Sequence, residues 1–311
     1  MRLRQVVADY VRFKQALKVR FHTDAHHLEN FCRLVGPKRQ LADVTDVAVH
    51  DFLASKTTGY WYRKFAVLSG LNRFLTAHGY SALVPLPALK PKKTTDFVPY
   101  ILSREEVARL LAAIPNYCQS RVVPSNTARM TFLLLYGAAL RIGEALSLKN
   151  NDVDLEQGVL TVRATKFYKT RLVPVARPLH QELILYVRWR NTQPFLTSSD
   201  SLLVDRRGRQ LRYFQIRGVF AALRMQCHLV SARTGRAARQ HDCRHSFAVS
   251  RLVAAYQRGE NVQDFLPKLA TYLGHKSIAS TQVYLTLTPE LLEEACKRYE
   301  SYVFPEVSHE S

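Results

Sequence analysis

Four prolines within residues 81–102 constrain this chain more than any other feature of its sequence. The segment SALVPLPALKPKKTTDFVPYIL contains Pro85, Pro87, Pro91 and Pro99, so a continuous helix cannot pass through it. Proline-rich segments form extended connectors, and this one adds a basic run of Lys90, Lys92 and Lys93. At 311 residues the chain is long enough for two domains with separate cores. We therefore predict a domain of residues 1–82, a basic linker of residues 83–99 that could lie against DNA, and a larger domain of residues 100–311.

The first domain is predicted to be entirely helical. Apolar residues recur at helical spacing over residues 3–19, about 24–35 and about 59–78. A shorter helix around Phe52 can be capped by Asp43 or Thr45. The last helix interleaves aromatic and basic residues. Aromatic side chains usually belong to a core, so the candidates for phosphate contacts are the charged residues Arg63, Lys64 and Arg73.

The larger domain is predicted to be mainly α with a small β-hairpin or sheet. Ser103 followed by Glu106 forms a capping box that starts a helix over 104–114, and the apolar run ARMTFLLLYGAAL predicts a buried helix after it. Residues 158–175 alternate in polarity and predict two strands with a turn near 166–169. The remaining pattern predicts helices over about 178–191 and 213–229, with a short strand at Leu202–Val204 between them.

Positive charge is spread over the whole chain. The formal net charge is +20, with 16 basic and 7 acidic residues in the first 100 positions and 29 and 18 in the rest. A basic tail on a neutral enzyme would place the excess on one side only. The distribution therefore favours a polyanion, nucleic acid, held by both parts. A basic protein without a specific partner is the alternative that charge alone leaves open.

Several classes of protein are disfavoured by simple patterns. The sequence contains no run of about eighteen apolar residues, so no membrane span is predicted. The N-terminus lacks the apolar core of a signal peptide. Five scattered cysteines are typical of reduced thiols, so we expect a cytoplasmic protein. Cysteine and histidine do cluster near residue 241, but their spacing matches no zinc site. We predict no metal site there from Cys227, His228, His241, Cys243 and His245.

Arg141 follows the buried apolar run directly, where an unpaired charge would be costly. Glu144 is three residues further on and can pair with it or orient it. On this segment alone, a purely structural ion pair and a functional arginine are equally good interpretations. Lys166 and Lys169 lie at the predicted turn of the hairpin, where lysines are usually solvated surface charge.

The segment from His241 to Tyr284 has the residues expected of a site that breaks a phosphodiester. His241 and Arg244 are three apart and share one helical face, and arginine can bind two phosphate oxygens at once. His275 and Tyr284 then supply a donor and an oxygen nucleophile, although Tyr272 is a second available hydroxyl. The loop before His241 adds Arg236 and Arg239 beside the site. No cluster of carboxylates suits a pair of Mg²⁺ ions, which disfavours a metal nuclease.

Together, GAALRIGEALSL, the lysine hairpin before RLVPV, HDCRH, LGH and the final tyrosine resemble the tyrosine recombinase (phage integrase) family over nearly all of residues 100–300. The helical first domain resembles the core-binding domain of that family. The long connection to His275 and the sequence YLTLTPELL are most similar to members carried by transposons and other mobile elements. Cys243 stands where the family usually has leucine, a change without expected mechanistic effect because a buried cysteine behaves as a small apolar residue.

The resemblance implies a function and a role for each matching residue. A site-specific recombinase, integrase or transposase would cut and rejoin DNA through a 3′-phosphotyrosyl intermediate on Tyr284, with no metal, ATP or other cofactor. Lys166, or its rival Lys169, would protonate the leaving oxygen, and His241 would assist proton transfer to or from the tyrosine. The implied groups that hold the phosphate or support the site are Arg141, Arg244, His275 and Glu144.

The resemblance also implies double-stranded DNA as partner and a homo- or hetero-oligomer, such as a synaptic tetramer, with companion recombinases in some systems. An amphipathic helix over 288–303 would pack on its own domain or dock on a neighbouring protomer. Two other functions are compatible with the pattern. One is a non-catalytic DNA-binding protein of the same fold, and the other is a DNA-relaxing enzyme similar to type IB topoisomerases.

Overall fold

The structure, a computed structural model, describes residues 1–19, 21–92, 99–118, 122–163, 170–193, 199–232, 234–275 and 277–287. Its internal contacts divide the chain into two compact units, with the division between residues 97 and 98. Twelve α-helices and one three-stranded sheet lie within the described residues. The predicted fold class, mainly α with a small sheet, is confirmed.

The first unit contains four helices, and each predicted helix is present. They are α1 (Leu3–Ala16), α2 (His22–Val35), α3 (Asp46–Leu53) and α4 (Thr58–Ala77). Thr45 caps α3 by accepting the backbone N–H of Ala48 at 3.3 Å, whereas Asp43 closes the turn before it by accepting the N–H of Gln40. Both polar residues at this boundary therefore satisfy backbone donors, and the one directly before the helix is its N-cap.

Helices α1 and α4 approach closely at a tyrosine and a glycine. The ring of Tyr10 packs between Phe21 and Phe74, with centroid distances of 5.4 and 5.3 Å. A Cβ atom on Gly70 of α4 would lie 2.5 Å from the Tyr10 hydroxyl. A larger residue at position 70 would therefore have to displace the tyrosine, whose ring is held by its aromatic neighbours.

The described part of the predicted linker packs on the first unit. Val84 is buried in its core, and its backbone N–H and C=O both bond the side chain of Asn72, at 2.9 and 2.8 Å. The Tyr62 hydroxyl donates to the carbonyl of Pro91 at 2.8 Å. Prolines leave these backbone groups without helical partners, and side chains of α4 supply them instead. Residues 93–98, with Lys93, lie outside the described residues.

The second unit begins with the predicted capping box. Ser103 accepts the N–H of Glu106 at 3.2 Å, and the Glu106 carboxylate accepts the N–H of Ser103 at 2.9 Å. The helices that follow are α5 (Arg104–Cys118), α6 (Ser125–Gly137), α7 (Ile142–Ser147), α8 (Arg177–Asn191) and α9 (Tyr213–Gln226). They surround the larger of the two apolar cores in this unit.

The sheet is antiparallel and consists of β1 (Val153–Asp154), β2 (Val159–Val162) and β3 (Arg171–Pro174). Strand β1 was not predicted. Strands β2 and β3 form the predicted hairpin, in which Val162 lies opposite Arg171. Its predicted turn, with Lys166 and Lys169, lies outside the described residues.

The predicted strand at Leu202–Val204 is wrong. These three residues are fully buried, which the apolar pattern indicated correctly. However, the segment takes part only in isolated bridges, of Ser201 with Lys149 and of Val204 with Gln210. A buried apolar run is compatible with several backbone conformations, and periodicity cannot choose among them.

Three further helices build the part of the second unit that matters for function: α10 (Asp242–Gln257), α11 (Val262–Leu273) and α12 (Ala279–Leu287). Their apolar faces form a separate core that includes Ala139, Leu252, Leu266 and Tyr284. The predicted helix over 288–303 lies outside the described residues. Among the helices that the structure describes, none has the length and apolar character needed to cross a membrane.

Candidate active site

Five segments of the second unit converge on one cluster of charged and hydrogen-bonding side chains. Arg141 immediately precedes α7, Arg171 begins β3, and Arg244 lies in the first turn of α10. His275 follows the end of α11, and Tyr284 lies on α12. The cluster therefore brings together Arg141, Glu144, Arg244, His275 and Tyr284 from the predicted site.

Arg141 is tied to the protein at two of its guanidinium nitrogens. Nη1 donates to Oε1 of Glu144 at 2.8 Å, and Nη2 donates to the carbonyl of Gly274 at 3.0 Å. A guanidinium has five N–H donors, so in the described part of the chain three remain for a bound oxyanion. The side chain is about one-third exposed, which leaves those donors accessible.

Glu144 is buried and binds two arginines. Arg171 donates to it as a fork, Nη1 to Oε1 at 3.0 Å and Nη2 to Oε2 at 2.8 Å. Arg141 contributes its backbone N–H to Oε2 at 2.9 Å in addition to the side-chain contact. Burial alone would raise the pKa of this carboxyl, but the hydrogen bonds and charge of the two arginines hold it at about 2. Glu144 is therefore ionised at neutral pH.

Arg244 is almost completely buried, at 1% exposure. Its Nη1 donates to the carbonyl of Ala139 at 2.5 Å, and its Nη2 donates to that of Leu273. Burial and the neighbouring charge of Arg141 lower its pKa to about 9. It remains positively charged at pH 7, at the cost of desolvation.

Two guanidinium groups thus share the Glu144 carboxylate, and Arg244 adds a third positive charge bonded only to backbone carbonyls in the described part of the chain. Counting these four described side chains, this part of the site has an excess of two positive charges. Asp242, a buried acid on α10, is already paired with Arg239 at 2.8 Å. Buried charge without a counterion is strongly disfavoured unless a ligand supplies one. The cluster is therefore suited to binding an anion.

His275 is positioned from two sides. Gly274, which precedes it, ends α11 in the left-handed conformation with φ +64°, and Nδ1 of His275 lies 2.8 Å from the hydroxyl of Thr281 on α12. Burial and the charge of Arg244 lower the pKa of His275 to about 4. With Nδ1 taken by the threonine, Nε2 is the ring nitrogen that can face a ligand.

Tyr284 is buried, and its hydroxyl lies 2.9 Å from Nδ1 of His245. Burial raises the pKa of the tyrosine, although the charges of Arg244 and Arg141 act in the opposite direction. Burial and the neighbouring His241 lower the pKa of His245 to about 4, so its ring is neutral at pH 7 and can accept a proton. His241 packs edge-on against His245 with centroids 4.6 Å apart, and burial also lowers its pKa.

Tyr272, the other tyrosine considered as nucleophile, is engaged elsewhere. Its hydroxyl donates to the carbonyl of Pro174 at 3.1 Å, and its ring stacks on Phe247 with an interplanar angle of 10°. The contact with a histidine thus favours Tyr284 over Tyr272.

The residues predicted to bind DNA occupy varied settings. Arg63 pairs with Asp24 at 2.8 Å, and Lys64 donates to the carbonyls of Phe52 and Ala54 at the end of α3. Lys90 lies over the ring of Phe65. All the described members of the set are exposed except Lys64, which is half-buried. Their DNA contacts, like that of Arg239, stay predictions.

Within the described residues no group of three or more His, Cys, Asp or Glu side chains is arranged to hold a metal ion.

Three residues of the cluster were missed from the sequence: Arg171, His245 and Thr281. His245 adjoins Arg244 and so falls inside the predicted motif, but nothing in its position indicated a contact with a residue 39 places away. Arg171 served only as a spacing marker for the lysine. Its contact with Glu144 spans 27 residues.

Comparison with known proteins gives a consistent result. The model of the phage integrase family matches residues 101–290. A provisionally named integrase/recombinase of Sinorhizobium fredii, y4rB, is 32% identical over 305 residues, which is 96% of each chain. The tyrosine recombinase XerA of Thermococcus kodakarensis is 35% identical over 207 residues, 67% of this chain and 65% of its own.

Solved structures share the fold. The integrase of transposon Tn1549, bound to transposon right-end DNA, matches with a TM-score of 0.66 and 15% identity, covering 97% of this chain and 100% of its own. A lambda integrase dimer bound to a core site matches with a TM-score of 0.62 and 16% identity, covering 91% and 95%.

Proposed function

The chain belongs to the phage integrase family, and from this premise we propose that it is a site-specific DNA recombinase. It cuts and rejoins DNA strands through a covalent 3′-phosphotyrosyl intermediate on Tyr284. The curated relatives named as tyrosine recombinases and integrases support the class of enzyme. The arrangement of the buried side chains supports the chemistry.

One observation carries the proposal: a buried site with two excess positive charges lies beside a tyrosine hydroxyl that contacts a neutral histidine. A phosphodiester carries one negative charge, and more charge develops on its oxygens as a nucleophile attacks. Arg141 and Arg244 bind the non-bridging oxygens, and His275 donates a further hydrogen bond through Nε2. Each donor is fixed by the protein beforehand, so little reorganisation is needed when the charge develops.

Proton transfers complete the step. Tyr284 donates its hydroxyl hydrogen bond to His245, which can take the proton as the phenol oxygen attacks the phosphorus. The 3′ phosphate becomes bonded to the tyrosine, and the 5′ oxygen leaves. Lys166 protonates that leaving oxygen, and His241 assists the transfers through its contact with His245.

The covalent intermediate conserves the energy of the phosphodiester bond. A 5′-hydroxyl from a second strand can therefore reverse the reaction on a new partner, and neither ATP nor a metal ion is required. Double-stranded DNA is the substrate. Strand exchange needs at least two such sites together, so the active form is an oligomer on DNA, a homo- or hetero-tetramer with companion recombinases where the system has them.

A trapping experiment tests the proposal. Purified protein is incubated in EDTA with nicked duplexes taken from both sides of its own gene, and covalent protein–DNA adducts are detected on denaturing gels. Wild type should form an adduct and Tyr284→Phe should not, because phenylalanine keeps the ring but lacks the oxygen. An adduct with the mutant would move the nucleophile to another residue, with Tyr272→Phe as the next variant. Tight DNA binding without any adduct would favour a non-catalytic DNA-binding protein.

A further inference from the structure

Arg171 occupies a central position that the proposed chemistry does not use. Its side chain is 14% exposed and makes three contacts. Besides the fork on Glu144, its Nε donates to the carbonyl of Tyr272 at 3.2 Å. One guanidinium thereby joins β3, α7 and the end of α11.

The chain leaves room for this side chain at a glycine. A Cβ atom on Gly274 would lie 2.9 Å from Nη1 of Arg171 and 3.1 Å from its Cζ. Gly274 also accepts from Arg141 and directly precedes His275. The guanidinium of Arg171 thus packs against the backbone of Gly274. That backbone leads directly into His275, one proposed donor to the phosphate, and its carbonyl helps to hold Arg141, another.

The contacts of Glu144 show what Arg171 does for Arg141. A carboxylate offers about four acceptor positions, and Glu144 fills four. Arg171 takes two through its fork, and Arg141 takes two, one through its backbone N–H and one through Nη1. Because the fork of Arg171 occupies Glu144, Arg141 cannot turn its own fork onto the same carboxylate. Its remaining donors stay directed away from Glu144.

We propose that Arg171 is a positioning residue of the strand-transfer reaction. It holds Glu144 so that Arg141 keeps its donors for the scissile phosphate, and it links β3 to the backbone before His275. The same anchor joins strand β3, which begins five residues after Lys166 in the sequence, to the phosphate site. Arg171 itself does not touch the phosphate. This inference rests on the proposed function.

Two variants test the role. Arg171→Lys keeps the charge but replaces a planar fork with a single point donor, and Arg171→Ala removes both. With saturating nicked duplex, Arg171→Ala should form the adduct about 100-fold more slowly than wild type, since small misplacements of catalytic groups have effects of this order. Arg171→Lys should fall between the two. DNA affinity should change by less than about twofold, because the contact is intramolecular.

A matched control distinguishes positioning from general stabilisation. Arg129 makes a similar fork on Glu182 between α6 and α8, with distances of 3.2 and 2.6 Å, away from the site. Arg129→Lys should keep the wild-type rate of adduct formation. Methylguanidinium, which fits the space left by Arg171→Ala, should raise the rate of that variant and leave Arg129→Lys unaffected. A residue that only stabilises the fold would lower the melting temperature without changing the rate of the folded, DNA-bound protein.

The outcomes are separable. Arg171→Ala that is folded by circular dichroism and forms adduct at the wild-type rate would overturn the positioning role. Equal losses in Arg171→Lys and Arg129→Lys would also overturn it, because any broken fork would then have the same effect. If wild type itself forms no adduct on any duplex, the proposed function fails first, and the positioning role fails with it.

Discussion

Two groups of positive charge, one in each unit, differ in how they are balanced. In the first, Arg63 is neutralised by Asp24 at the surface, and Lys64 lies on helix-terminal carbonyls. In the second, Arg141 and Arg171 share the Glu144 carboxylate, and Arg244 is buried nearby with only backbone carbonyls as its hydrogen-bond partners in the described residues. Arg244 is buried despite the desolvation cost of its charge.

The difference distinguishes positive charge that is neutralised within the protein from positive charge that is left for a bound anion. A one-to-one pair at the surface contributes little and needs no further partner. An uncompensated buried cluster weakens the fold, and such a site is retained where an anion binds. The balance of each cluster is therefore more informative than the number of basic residues in each unit.

The largest effect is expected for a substitution of Arg141, and it tests this comparison most directly. Arg141→Lys should slow adduct formation about 10²- to 10³-fold, because a lysine cannot offer two parallel donors to a phosphate. Arg12→Lys, in the exposed pair with Asp9 of the first unit, should change the rate by less than about twofold. Rates are measured with excess nicked duplex. Similar losses in both variants would mean that the two clusters do not differ in function.

A second pair of variants addresses the proton of the nucleophile. His245→Asn can still accept a hydrogen bond from Tyr284 but cannot take its proton, and His245→Phe can do neither. Loss of a general base typically costs about 10²-fold or more, so both variants should slow single-turnover cleavage by about that factor. Full activity in His245→Asn would reduce the role of His245 to orienting the hydroxyl.

The stability of the cluster should depend on pH. The pKa values of His245 and His275 are about 4 in the folded protein, below the usual 6.5. The unfolded chain then binds more protons between these values, so the free energy of unfolding should fall as pH decreases from about 6.5 to 4. After allowance for partial solvent exposure, the loss is about 1–2 kcal/mol per histidine.

Urea denaturation at several pH values measures this dependence. Replacing both histidines with asparagine should flatten it, whereas the exposed His50→Asn in the first unit should not. An unchanged slope in the double variant would show that the two rings are not held neutral by the cluster.

The smallest effect is expected for a substitution in the first unit, which should lower stability without changing the rate of adduct formation. Gly70→Ala adds a methyl group 2.5 Å from the Tyr10 hydroxyl. Overpacking costs about 1–3 kcal/mol, partly offset by the better helix propensity of alanine, so we expect a net loss of about 1 kcal/mol in urea denaturation. Adduct formation should keep its rate. A slower rate would mean that the first unit contributes to cleavage through its packing.

Local features of the fold were predictable from the sequence. The capping box at Ser103 and the cap at Thr45 act within three residues, so their sequence patterns determine their geometry. The strand pattern at Leu202–Val204 failed because burial is a tertiary property that several backbone conformations can satisfy.

The residues of the candidate site also fall into two groups, those with a local signal in the sequence and those without one. Residues with a fixed spacing, such as His241 and Arg244, were identified from the motif. Arg171 and Thr281 were not, because their importance lies in contacts with Glu144 and His275, which come from other segments of the chain. Hydrogen-bond partners that belong to different elements leave no periodic pattern in the sequence.

Helix α12 couples two parts of the candidate site. This helix carries Thr281, which contacts His275, and Tyr284, which contacts His245. Helices in proteins gain most of their stability from the surface on which they pack, and Tyr284 of α12 is part of the apolar core that also contains residues of α10 and α11. Because both contacts lie on one helix, any displacement of α12 would change them together. In the proposed reaction, α12 would therefore bring the attacking oxygen and an oriented His275 to the phosphate as one unit.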